Sequence, residues 1–260
     1  MSDDVKGMVS MLEKGMRALV TGGSGGLGSA MVRMLARHGV HTIALSNDQA
    51  KLDALKGLPE VETVFMDVTD SEAMRSTFSG QKIDILINAA GVLGVTGTLY
   101  SVPATSAQRI LDVNVMGIHN ALSATVPGMV ERNRGHIVNF GSLAGPYPSA
   151  GQPMYSASKG AVHNMSANLR MELFGTDVRV TEIRPGRVRT GMHAEMFDGD
   201  HSKSDALLYD PYECLQATDI ADAIEYVLGT PPHVCVSQIE VVPTHQVVGG
   251  TRMYNRQLGK

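Results

Sequence analysis

Tyr155-Ser156-Ala157-Ser158-Lys159 is the stretch whose residue types and spacing carry chemistry. Met154, Ala157, Ala161, Val162, Met165, Leu169 and Leu173 recur at helical spacing, which predicts a helix over 154–174. Four residues apart on that helix, Tyr155 and Lys159 lie on one face, so a phenol and an ammonium can share a site. A phenol with a pKa of about 10 is a poor base at neutral pH, and a neighbouring cation favours the phenolate. A tyrosine tuned in this way exchanges a proton with a substrate hydroxyl or carbonyl oxygen. A surface tyrosine beside a solvated lysine has the same spacing. The decision rests on whether the rest of the chain builds a site around the pair.

The elements that would do so alternate along the chain. A short apolar strand over 16–20 runs into Thr21-Gly22-Gly23-Ser24-Gly25-Gly26-Leu27-Gly28, and an amphipathic helix follows, closing at His38-Gly39. In that setting glycines let the backbone approach a pyrophosphate, and the helix N-terminus offers N–H groups and a positive dipole end. Strands over 40–45, 61–66, 83–87, 135–140, 178–183 and 234–242 alternate with helices over 48–56, 70–79, 105–130, 154–174 and 217–229. Such alternation predicts a parallel α/β sheet covered by helices on both faces, as one domain, with residues 1–15 as a polar leader. Polar and glycine signals fall at strand C-terminal ends (the 21–28 loop, Asn88, Ser142, Pro185-Gly186), the edge where open α/β sheets bind ligands.

Composition narrows the function classes. The 260 residues carry a formal net charge of −4, with no basic footprint for nucleic acid or an anionic membrane. Cys214 and Cys235 fit no metal or redox spacing, so no metal site and a reducing, cytoplasmic setting are expected. The N-terminus lacks an apolar signal region, and no apolar stretch reaches the ~20 residues that span a bilayer.

Thr21-Gly-x-x-x-Gly26-x-Gly28, Asn88-Ala-Ala-Gly91, Asn114, Ser142, Tyr155-x-x-x-Lys159 and Pro185-Gly186-x-Val-x-Thr190 stand in the order and spacing of the short-chain dehydrogenase/reductase family, which the chain resembles over 16–242. One departure is Ala89, where that family usually has a second asparagine. The resemblance implies a doubly wound Rossmann fold with a seven-stranded parallel sheet and a lid over about 191–212. It implies an NAD(P)-dependent oxidoreductase interconverting a small polar alcohol and its carbonyl. Tyr155 would be the general acid/base and Lys159 would lower its pKa and hold the nicotinamide ribose. Ser142 would hydrogen-bond the substrate oxygen, and Asn114 would hold a water beside Lys159. Read singly, Ser142 is also a turn residue and Asn114 also a capping or bend residue.

Cofactor contacts are implied for Gly22, Ser24, Gly25, Gly26, Leu27, Gly28, Ser46, Asn47, Asp67, Val68, Asn88, Ala89, Ala90, Gly91, Tyr155, Lys159, Pro185, Gly186, Val188 and Thr190. At the end of the second strand an acidic residue would select NAD and an arginine the 2′-phosphate of NADP. Ser46, Asn47 and Asp48 stand there, and the 21–28 loop holds no basic residue, so the expectation leans to NAD with NADP left open. The C-terminal stretch 231–246 and Phe197-Asp198-Gly199-Asp200 are similar to the 3-hydroxy acid (serine-type) dehydrogenase and sulfoacetaldehyde reductase branch, which generally prefers NADP. Alternatives are a 3-oxoacyl reductase-like enzyme, whose glycine-rich C-terminal ending this chain lacks, and a non-catalytic dinucleotide sensor or scaffold.

Arg184, Arg187 and Arg189 crowd the exit of the sixth strand, and a guanidinium grips carboxylates or sulfonates through paired donors. Arg187 is the expected substrate contact, for a small substrate with an anionic end. Each arginine can equally meet an acid of the protein, such as Glu182. The family implies a homotetramer through the two long helices, where Met116, Ala121, Met129, Ala167 and Met171 look surplus to one core, and through the last helix and strand.

Overall fold

The strands β1 (Arg17–Thr21), β2 (His41–Ser46), β3 (Val61–Phe65), β4 (Ile85–Asn88), β5 (Gly135–Phe140), β6 (Val178–Pro185) and β7 (Gln238–Val241) form a seven-stranded sheet, in a computed structural model that describes residues 12–247 and 252–255. The strand order is β3-β2-β1-β4-β5-β6-β7 and every neighbouring pair is parallel. This is the doubly wound Rossmann arrangement, with its switch point between β1 and β4. Residues 1–11 of the expected leader lie outside the described residues. Leu12 is buried in the core, so the leader's end is packed rather than solvated.

Central strands read as continuous apolar runs, such as Ile85–Asn88 and Arg17–Thr21, because helices cover both faces. On one side α1 (Gly26–Arg37) and α8 (Ala217–Gly229) pack together over Val20, Ile87, Val138 and Ile183. On the other, α3 (Ser71–Phe78) and α5 (Gly117–Glu131) bury Leu19, Leu86 and Ile137. The short α2 (Gln49–Asp53) is capped by Asp48, whose side chain accepts from the Lys51 N–H.

Two elements and the burial of two residues depart from the sequence expectation. The helix expected over 105–130 is α4 (Ala104–Leu111), a π turn (Asp112–Met116) and α5 in succession. The last strand starts at Gln238 rather than 234, since Cys235 and its neighbours form the approach to the sheet edge. Ala121 and Met129 are fully buried in the core and are not surplus; Met116 and Met171 are exposed.

Candidate active site

The glycine loop leaves β1 as a tight turn against the end of β4. Gly22 adopts φ +65°, and a Cβ there would stand 2.7 Å from the Ala90 Cα. A Cβ on Gly28 would run into the Gly22 carbonyl, so the first turn of α1 lies directly on the loop. No side chain caps α1 and its first turn holds no carboxylate, which leaves its N–H groups to an anion. The Ser24 hydroxyl donates to the Ser46 hydroxyl at 2.7 Å, tying the loop to the end of β2. Beside it, Asn47 donates to Asp67 at 2.8 Å. Burial pushes the Asp67 carboxyl up, but hydrogen bonds from Thr69 and Asn47 hold it below the usual carboxylate value, so it stays anionic. A crevice with close-packed glycines at one end and a fixed acid at the other fits a dinucleotide. Asn88 is buried and donates to Asn139 at 2.9 Å, so its side chain braces β4 against β5. The Val68 carbonyl accepts from Asn120, and the Val68 side chain packs on Gly117.

Gly91, at the end of β4, opens toward the catalytic candidates. A Cβ there would stand 3.4 Å from Asn114 Oδ1 and 3.8 Å from Lys159 Nζ. Asn114 sits in the π turn, fully buried, with Oδ1 accepting from Val92 N–H at 2.8 Å. Its Nδ2 donates to the Val92 carbonyl at 2.9 Å and to Ser158 Oγ at 3.0 Å. The widened turn lets the helix reach the β4 exit, a common use of π turns at functional sites.

Helix α6 (Pro153–Glu172) carries Tyr155 and Lys159 on one face, as the spacing predicts. A cavity of about 280 Å³ is lined by both, together with Ser142, Gly91, Leu27, Ala89, Pro185, Gly186, Val188, Thr190 and Arg187. Lys159 Nζ donates to the Phe140 carbonyl at 2.7 Å and lies 5.7 Å from the Tyr155 ring centre. Burial holds its pKa down to about 8, against the pull of Glu182. The expected lowering of the Tyr155 pKa is corrected here: burial raises it, and the Ser142 hydroxyl only partly offsets that. Desolvating a phenolate outweighs a lysine whose ammonium is already committed to a carbonyl.

The three arginines separate. Arg184 is buried and pairs with Glu182 at 2.8 Å and Glu240 at 3.4 Å, away from the cavity. Arg189 pairs with Asp210 at 2.6 Å and Asp205 at 3.6 Å. Arg187 alone of the three lines the cavity, donating to the Leu208 carbonyl at 3.2 Å and lying over the Tyr212 ring. The lid is a 3-10 helix (Gly191–Phe197), α7 (His201–Ser204) and a second π turn (Asp205–Tyr209). Glu195 of the lid accepts from the N–H groups of Leu93 and Gly94, clamping it to the β4 exit. Gln246 accepts from Arg187 N–H at 2.8 Å and also lines the cavity. Neither contact was foreseen, because both join segments far apart in sequence. Among the described residues no cluster of metal-ligating side chains forms, and no helix is long and apolar enough to cross a membrane.

Residues 16–201 match the family model described as short chain dehydrogenase. The chain is 36% identical over 247 residues to the NADP-dependent 3-hydroxy acid dehydrogenase YdfG of Salmonella typhi, covering 92% of this chain and 99% of that one. It is 34% identical over 238 residues to sulfoacetaldehyde reductase 2 of Chromohalobacter salexigens, covering 88% and 94%. The closed form of a serine dehydrogenase complexed with NADP+ superposes with a TM-score of 0.85 at 34% identity, covering 89% of this chain and 96% of that one.

Proposed function

Because the chain belongs to the short-chain dehydrogenase family, we propose that it interconverts a small polar alcohol and its carbonyl, with Tyr155 exchanging the proton. The observation that carries this reading is that Ser142, Tyr155 and Lys159 line one cavity, with Asn114 at its edge across Gly91. The bound dinucleotide supplies or accepts the hydride. The raised pKa keeps Tyr155 protonated at neutral pH, so it can give its proton to a carbonyl oxygen as charge develops there. In the opposite direction the phenol must first lose its proton to solvent, and the phenolate then takes the proton from the alcohol. The oxygen of Ser142 accepts from Ala144 N–H at 3.1 Å, which leaves its hydroxyl proton to be donated to the same substrate oxygen. Below a pH of about 8 Lys159 is an ammonium, and it stabilises the phenolate as it forms. A non-catalytic sensor would have no need of this complete set.

For the cofactor, the chain's own residues support NAD. Asn47 is bound to Asp67, and Asp48 is engaged with Lys51 at 2.8 Å, an arrangement that offers a 2′-phosphate an acid rather than an arginine. The relatives favour NADP instead: the 3-hydroxy acid dehydrogenase is named NADP-dependent, and the serine dehydrogenase and a metagenomic short-chain oxidoreductase are complexes with NADP. For the substrate, Arg187 in the cavity and relatives named for a hydroxy acid and a sulfonated aldehyde support an anionic end.

The test is Tyr155→Phe, which removes only the titrating hydroxyl. Turnover of hydroxy acids or sulfonated alcohols should fall about a hundredfold or more, with dinucleotide binding and the fold retained. Activity within a few-fold of wild type would refute the assignment.

A further inference from the structure

Tyr209 is fully buried at the end of the second π turn, and its hydroxyl sits between two partners. It lies 2.9 Å from the Thr190 carbonyl and 2.6 Å from His193 Nδ1. A carbonyl only accepts, so the single phenolic proton goes to Thr190. The phenol oxygen therefore faces His193 as an acceptor, and Nδ1 must carry the ring proton. The Thr190 N–H approaches the same oxygen at 3.5 Å, which adds a second donor to it. A neutral imidazole protonated at Nδ1 presents a bare lone pair at Nε2. Burial and the charge of Arg187 hold the His193 pKa down to about 4, so the ring stays neutral across the physiological range. The other charges around this pair are Arg189, 5.2 Å over the Tyr209 ring, with its partners Asp205 and Asp210.

His193 lines the same cavity as Ser142, Tyr155 and Arg187, and its Nε2 has no partner among the described residues. We propose that His193 Nε2 is a specificity-determining acceptor, selecting substrates that carry a hydrogen-bond donor (a hydroxyl or an ammonium) beyond the reacting carbon. This rests on the oxidoreductase reading of the cavity. The lone pair repels a carboxylate oxygen, which directs an anionic end to Arg187 and the donor to the lid. A substrate with a methyl in place of the donor leaves Nε2 desolvated and unpaired, a loss that sites of this kind discriminate strongly.

Two measurements test it. The imidazole nitrogen resonances of the wild-type protein, assigned by difference from His193→Gln, should show a protonated Nδ1 and a bare Nε2 from pH 8 to pH 5.5. The opposite tautomer, or protonation with a midpoint near the ordinary histidine value, would overturn the proposal without reference to activity. The second compares kcat/KM for 3,4-dihydroxybutanoate and 3-hydroxypentanoate, which differ by a hydroxyl for a methyl. Wild type should prefer the first at least about tenfold. His193→Phe keeps the ring but removes the acceptor and should bring the ratio toward one. Tyr209→Phe, which releases the tautomer from its fixed partner, should lower the ratio as well. Turnover with an unchanged ratio in His193→Phe overturns the specificity role alone. No turnover of any alcohol or carbonyl with either dinucleotide overturns the reading of the cavity, and the specificity role with it.

Discussion

Replacing Lys159 by Met should destroy activity and make the protein free of cofactor more stable. Lys159 is 4% exposed, and folding lowers its pKa from 10.5 to about 8. By linkage that shift is a cost to the folded state of about 3 kcal/mol while the lysine is charged in both states. Methionine removes the cost but leaves the Phe140 carbonyl without its donor, a loss of about 1 kcal/mol. The net gain of about 2 kcal/mol corresponds to a rise in Tm of roughly 4–8 °C for a chain of this size. The pH dependence fixes the sign. Below about pH 8 the lysine is charged in both the folded and unfolded chain, and the full advantage of the variant is present. Between about pH 8 and 10.5 only the unfolded chain holds the proton, so wild type gains on the variant as pH rises. Urea unfolding of both proteins without dinucleotide at pH 7 and pH 9.5 measures this. A variant no more stable than wild type at pH 7, or an advantage that does not shrink at pH 9.5, would refute the reasoning.

Asn47→Arg combined with Asp48→Ser should move the kcat/KM ratio toward NADP by roughly tenfold or more; an unchanged ratio would mean that residues 46–48 do not read the 2′ position. Glu182→Ala removes the buried partner of Arg184 and leaves it with Glu240, and should cost about 3 kcal/mol in urea unfolding; a cost below about 1 kcal/mol would show that Glu240 alone suffices to hold Arg184. Met116 and Met171 leave apolar surface on the long helices, and Phe174, in the turn after α6, is 92% exposed, as a subunit contact would require. Sedimentation should give a homotetramer of about 110 kDa, and a monomer at micromolar concentration would contradict that.

Local pattern carried the parts of the site that depend on one element. The i, i+4 spacing of Tyr155 and Lys159 survives folding because a helix fixes it, and the glycine loop follows from the strand before it and the helix after it. The partition of the arginines was half legible: Glu182 and Arg184 are two apart on β6, hence on one face, and they pair. That Arg187 alone reaches the cavity depends on the acids Asp205 and Asp210 of the lid, which no local rule places beside Arg189. The direction of the Tyr155 shift was missed for a different reason. Sequence shows the nearby cation, but not the burial that outweighs it, nor the Phe140 carbonyl that takes the ammonium. The protonation state of His193 likewise needs the three-way meeting of Thr190, His193 and Tyr209.

The π turn at Asp112–Met116 makes the long helix a frame-shifted one. A helix given one residue more than its α register emerges rotated by about 100°. Upstream, α4 faces α6; downstream, α5 faces α3, and its Asn120 holds the Val68 carbonyl at 2.9 Å just beyond the end of β3. Deleting any one residue from the turn would restore an uninterrupted α-helix with every backbone bond made. It would also swing Asn120 off Val68 if Asn114 kept its hold on Val92, or pull Asn114 away if Asn120 kept its own. The two ends of the crevice are therefore gauged against each other by a count of residues, and a length change of one in this helix is harsher than most substitutions in it.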